Sequence, residues 1–133
     1  MATWEALRSY VMSNYKILED KGTMLSLGFN LDDGRHQTLI VSRSGELAGS
    51  EWAEVSTAVA KESQINPRDL LLRSQHMIVG GFAILENSPE NLVLFRHSFP
   101  LADLDPSEFE GPLQVVVIVG DNLEKEFTGA DTF

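Results

Sequence analysis

Three histidines, His36, His76 and His97, are the side chains best suited to proton transfer or metal binding near neutral pH. Their spacing signals neither. No pair forms a His-x-x-x-His arrangement, and the chain has no cysteine to complete a mixed ligand set. The lack of cysteine also excludes disulfides, iron–sulfur clusters and cysteine nucleophiles. His36 follows a turn and is expected in solvent. His97 stands beside Arg96 in a strand-like run. It could act as a base or touch an anion, but a half-buried strand residue with a hydrogen bond is the commoner reading.

Other chemistry-bearing patterns also fall short. Gly80-Gly81 has no following Gly-Lys-Ser/Thr and no helix start, so it fits neither nucleotide-loop template. It reads as a bulge or as a place where another chain comes close. There is no Gly-x-Ser-x-Gly elbow. The acid pairs Asp32-Asp33 and Asp103/Asp105 fall in turns and caps, where they have structural roles without catalysis. No residue is assigned to catalysis, and neither a metal nor a cofactor is expected.

Composition narrows the partners. The 133 residues carry 20 acidic and 10 basic groups, a formal charge of −10. Such a field repels nucleic acid and anionic membranes, and aromatic residues interleaved with Lys/Arg are missing. The charge either keeps a small protein soluble or favours a basic or aggregation-prone partner. Hydrophobic residues at 43% and charged residues at 23% are ordinary for a folded domain, and one domain over 1–133 is expected. The longest apolar run, Val115 to Val119, is too short to span a membrane. The first residues lack the basic and apolar regions of a signal peptide, and a cytoplasmic setting is expected.

Periodicity supplies the elements that would position any site. Thr3 can cap a helix whose stripe Trp4, Leu7, Val11, Tyr15 and Leu18 repeats at three and four, ending at Lys21-Gly22. Leu25, Leu27, Phe29 and Leu31 alternate as a strand, Asp33-Gly34 predicts a hairpin, and Gln37 to Ser42 return. Arg43 to Glu51, with two glycines and two serines, reads as a loop. Trp52 to Lys61 fits a strand or a helix equally well. Asn66-Pro67-Arg68-Asp69 opens a short helix ending near Ser74 or Gln75. Met77 to Leu85 and Asn91 to Phe99 read as strands around the loop Asn87-Ser88-Pro89-Glu90. Asp105-Pro106-Ser107-Glu108 opens a last helix, expected to kink near Pro112. Residues from about 128 to 133 are expected to form a flexible tail. Mostly hairpin links imply an antiparallel sheet with packed helices, an α+β fold.

One feature is left unexplained by a simple two-layer fold. Leu70, Leu71 and Leu72 are consecutive on a short helix, so one can face outward. Met77-Ile78-Val79 and Phe82 to Leu85 are apolar on both sides of a strand pattern. Either both faces are buried within the domain, or a partner covers one.

The run Asn66-Pro67, Leu70-Leu71-Leu72, Gly81-Phe82-Ala83-Ile84, Asn91-Leu92-Val93-Leu94 and Phe99-Pro100-Leu101-Ala102-Asp103-Leu104-Asp105-Pro106 with Glu108-Phe109 resembles the type III secretion chaperone-like superfamily. That group includes the CesT-type effector chaperones and the YbjN-type proteins. The resemblance implies a single domain of order α-β-β-β-α-β-β-α with a sheet of about five strands. It also implies that Trp52 to Lys61 is the third strand and that the last segment is helical despite Gly111-Pro112. A small, acidic, cytoplasmic homodimer that holds a client polypeptide is the implied function. It offers no catalytic residue to carry over. Leu71, Leu72, Val79 and Phe82 are the expected dimer seam. Leu25, Leu27 and Phe29, or the first helix beside them, are the expected client surface. A YbjN-type regulatory adaptor without an export role is the alternative, and a small enzyme using His97 the remote one.

Overall fold

The structure, a computed structural model, describes residues 1–86 and 88–133. Helix α1 (Trp4–Asn14) leads into strands β1 (Ile17–Asp20), β2 (Met24–Asn30), β3 (His36–Leu47) and β4 (Ser50–Lys61). A 3-10 turn (Glu62–Gln64) and helix α2 (Pro67–Ser74) follow, then β5 (Gly81–Leu85), β6 (Leu92–Pro100) and helix α3 (Pro106–Thr128). The strands form one antiparallel sheet in the order β1-β2-β3-β4-β6-β5. The α+β class and the single domain with flanking helices stand. The sheet has six strands among the described residues rather than about five.

The extra strand comes from the end of the predicted first helix. The Thr3 hydroxyl accepts the Ala6 N–H, as its capping position requires, but Tyr15 turns extended at φ −132° and the helix stops at Asn14. Ile17 to Asp20 then pair with β2. Leu18, read as the last member of the helical stripe, instead lies over Gly28, whose missing side chain leaves room for it. Lys21-Gly22 is the β1–β2 turn: Gly22 takes φ +82° and donates its N–H to Asp20 Oδ1.

A second correction concerns the Arg43 to Glu51 loop, which is a continuous hairpin. Its two glycines sit at a bulge (Gly45, φ +128°) and in the tight turn Ala48-Gly49, where both residues have positive φ. The ambiguous Trp52 to Lys61 stretch is strand. Met77 to Gly80 are irregular, so β5 begins only at Gly81. The loop expected at Asn87-Ser88-Pro89-Glu90 lies outside the described residues at Asn87. Beside it, Ser88 Oγ donates to the Leu85 carbonyl and accepts the Leu92 N–H. α3 runs unbroken through Gly111-Pro112, opened by a reciprocal cap between Asp105 and Glu108.

All three helices lie on one face of the sheet. Leu25, Leu27, Leu39, Val41, Val55, Val93 and Phe95 point to that face and are buried against Leu7 and Val11 of α1, Leu70 of α2 and Leu113, Val116 and Val117 of α3. Each such side chain contributes about 1.5–3 kcal/mol of burial. The other face of the sheet carries Met24, Ile40, Ala58, Leu85, Leu92 and Leu94, and no helix covers it among the described residues.

Candidate interaction surfaces

The surface around α2 and β5 is built by two local signals. Asn66 Oδ1 accepts the N–H groups of Arg68 and Asp69, and Pro67 fills the first helical position, which fixes where α2 starts. Consecutive helical residues point about 100° apart. Leu70 therefore enters the core at 6% exposure while Leu71 (73%) and Leu72 (47%) face solvent. β5 is an edge strand, paired only with β6 among the described residues, and carries the exposed Ile84 and Leu85.

One apolar groove lies at this edge and another beside the loop that precedes it. One, of about 210 Å³, is lined by Pro67, Leu70, Leu71, Phe82, Ile84 and Val93. The other, of about 490 Å³, lies between Met77, Ile78, Val79, Phe95, Val115 and Val119. Of the residues expected at a dimer seam, Leu71 and Phe82 share the first groove and Val79 lines the second. Leu72 is exposed but lines neither. Phe82 is half-buried, with ring centres 5.9 Å from Phe95 and 6.4 Å from Phe127.

The most exposed apolar residue here, Ile78 at 100%, belongs to the two-faced apolar run Met77-Ile78-Val79 but is not among the residues expected at the seam, nor is the exposed Ile118 on α3. Ile78 sits in the irregular stretch ahead of Gly80. There a Cβ would stand 2.7 Å from the Phe95 ring and 2.8 Å from the Arg96 carbonyl. Glycine at φ +77° lets this loop press on β6 and turn Ile78 outward. The Gly80-Gly81 signal was the available clue.

The expected client residues fall differently. Leu25 and Leu27 are fully buried beneath the helices and offer no surface, because their face of β2 is the core face. Phe29 is half-buried against Tyr15 at 5.9 Å. Tyr10, Tyr15 and Phe109 form an aromatic cluster there, and Tyr10 hydrogen-bonds Glu110. Burial, first, and the Glu110 carboxylate push the Tyr15 hydroxyl well above its ordinary range. α1 adds the exposed Met12, and β1 the exposed Leu18.

His97 lies on β6 with its ring stacked 6.4 Å from Phe99. Burial lowers its pKa. Among the described residues no carboxylate comes within ion-pair distance of it.

A different ionic cluster joins the end of α3 to the start of β3. Arg35 Nε donates to Asp121 Oδ1 at 2.7 Å, and its Nη2 lies 3.7 Å from Glu124 and 3.9 Å from Asp131. The oxygens of Asp121, Glu124 and Asp131 gather within 4.8 Å of one another, and the guanidinium is the cation beside them. Glu124 is fully buried, and burial raises its pKa against the opposing pull of its hydrogen bonds and Arg35.

The segment expected to be a flexible tail is held by this cluster. Arg35 Nη2 donates to the Ala130 carbonyl at 2.6 Å. Asp131 accepts the His36 N–H and lies 2.9 Å from its Nδ1. Glu124 Oε2 accepts the N–H groups of Thr132 and Phe133 at 2.6 and 2.8 Å. Thr132 and Phe133 thereby reach the uncovered face of the sheet, at a groove of about 500 Å³ floored by Met24, Ile40, Ala58, Leu92 and Leu94.

No family model matches the chain, and no curated protein matches it in sequence. Its fold is similar to that of a solved chain from the HopA1–SchA chaperone–effector complex, with a TM-score of 0.57 and 16% sequence identity. The likeness covers 88% of this chain and 87% of that one. At such identity it defines a shared fold: one α+β domain with an antiparallel sheet and flanking helices.

Proposed function

We propose that this chain is a non-catalytic, cytoplasmic protein-binding protein of the secretion-chaperone type. It pairs with a second copy of itself and holds an extended segment of a client polypeptide, without a cofactor. The observation that carries this reading is the fold, which is like that of a chain in a chaperone–effector complex over nearly all of its length. The α2–β5 surface supports the pairing. It exposes Leu71 on α2, Ile78 in the loop before β5 and Ile84 on β5, an edge strand that pairs only with β6 among the described residues, and a monomer normally covers or blunts such an edge. Leu72 and Phe82 flank it, and Val79 lines the adjoining groove.

The client is assigned to the outer surface of α1, where Met12 is exposed, and to the half-covered Phe29, rather than to Leu25 and Leu27. The test is affinity purification from the source cells at mild salt, with mass spectrometry. The reading expects one polypeptide in near-stoichiometric yield, lost from a Met12→Asp variant that stays folded. Recovery of the bait alone, from cells expressing it at native level, contradicts it.

A further inference from the structure

We infer that the uncovered face of the sheet is a peptide-binding groove, that residues 129–133 are its built-in occupant, and that its partner is an extended segment with a carboxylate two residues ahead of an aromatic ring. The occupant supplies the chemistry. Gly129, at φ +68°, ends α3 and redirects the chain. Gly120 packs on Thr57 from the helix-covered face, whereas Phe133 lines the opposite face, so the segment passes round the strand ends.

Each part of the segment meets a matching group on the body. The Asp131 carboxylate is met by His36 and Arg35. The next two N–H groups are accepted by one buried oxygen of Glu124. The Phe133 ring is set at a groove walled by Thr38, Ile40, Ser56, Ala58, Leu92 and Leu94. Such a pattern reads main chain, one charge and one apolar side chain, the usual economy of extended-peptide recognition. The room left beside Phe133, about 500 Å³, lies within the size range of ligand sites, roughly 300–1,000 Å³. Being tethered, the built-in segment competes at an effective concentration of the order of millimolar. A partner in solution therefore binds weakly until that segment is weakened.

This inference rests on the protein-binding reading only in supposing that a client supplies the competing segment. The seating of residues 129–133 stands on its own contacts. The experiment uses the full chain and a labelled synthetic peptide, Gly-Ala-Asp-Thr-Phe, followed by fluorescence anisotropy. An Asp131→Asn/Phe133→Ala variant is expected to bind the peptide at least tenfold more tightly than the unaltered chain. Replacing the peptide's Phe with Ala should abolish binding. Equal binding to both proteins, or none to a variant whose circular dichroism is native, overturns the inference. Should that variant fail to fold, amide exchange on the unaltered chain decides. The Thr132 and Phe133 amides are expected to exchange at least tenfold slower than an unfolded peptide, and excess peptide should remove that protection. Unprotected amides overturn the inference, as does protection indifferent to the peptide. Neither readout alters α2 or β5, of which only Leu85 reaches this groove, so the groove and the proposed function fail separately.

Discussion

Gly120 of α3 faces Thr57 of β4 so closely that a Cβ on the glycine would stand 2.4 Å from Thr57 Cγ2. The Thr57 hydroxyl is committed beneath the helix. It donates to the Thr38 carbonyl at 2.7 Å and accepts from Gln37 Nε2 at 2.6 Å. The threonine cannot turn its methyl away without losing these bonds, so the residue on the helix must be small.

Gly120→Ala therefore tests how α3 sits on the sheet. In an open helix this change gains about 1 kcal/mol. Here overpacking, which costs about 1–3 kcal/mol, should reverse the sign and lower the urea midpoint. Adding Thr57→Ser removes the methyl, keeps the hydroxyl and should recover most of the loss. A more stable Gly120→Ala chain would show that the helix stands further off.

Glu124→Gln should change how stability depends on pH. Burial raises the folded-state pKa of Glu124 above its unfolded value near 4.5. The native state then holds the extra proton between the two values, so the glutamate's contribution is fully present below about 4.5 and is lost as pH rises. The stability of Glu124→Gln relative to the unaltered chain should climb from pH 4 towards pH 7. Chemical denaturation at several pH values measures it, and a flat difference would refute the assignment.

His97 should titrate below the ordinary 6.5 because burial disfavours its charged form. Its stability contribution is then intact at neutral pH and falls as pH drops from about 6.5 through the lowered value. Imidazole proton shifts followed by NMR give the midpoint directly. A midpoint above 6.5 would require an acidic neighbour.

Much of this fold was readable because it is written in local signals. The caps at Thr3, Asn66 and Asp105 and the Asp33-Gly34 hairpin each fix a backbone geometry by their own side chains or by glycine, so neighbouring sequence suffices. Most of the differences share one cause: glycine and apolar spacing serve more than one structure. Gly22 could stop a helix or turn a hairpin, and only pairing with β2 decides. Gly45 and Gly49 look like loop residues until the β3–β4 ladder absorbs one as a bulge and the other as a turn. Leu25 and Leu27 alternate like any half-buried strand, and alternation does not say which face carries the helices. The clasp of Arg35 on Asp121, Glu124 and Asp131 joins residues up to 96 positions apart, which no local pattern could announce.

Asn66→Ala should link local order to assembly. Losing the cap costs about 1 kcal/mol and frays the turn that sets Leu71 outward. The expected result is a modest fall in urea midpoint with weaker self-association. A stability loss with unchanged association would mean that α2 is not part of the contact.

The central claim is that two copies meet through the α2–β5 surface. Analytical ultracentrifugation of the chain and of Leu71→Asp/Ile78→Asp tests it most directly. Both side chains are largely or wholly exposed in the single copy, so the variant should keep its urea midpoint when both proteins are compared as monomers. The unaltered chain should sediment as a dimer, more tightly so at higher salt, because each copy carries a formal charge of −10 that salt screens. The variant should sediment as a monomer. A monomer for the unaltered chain at every concentration, or an unshifted dimer for the variant, would contradict the account.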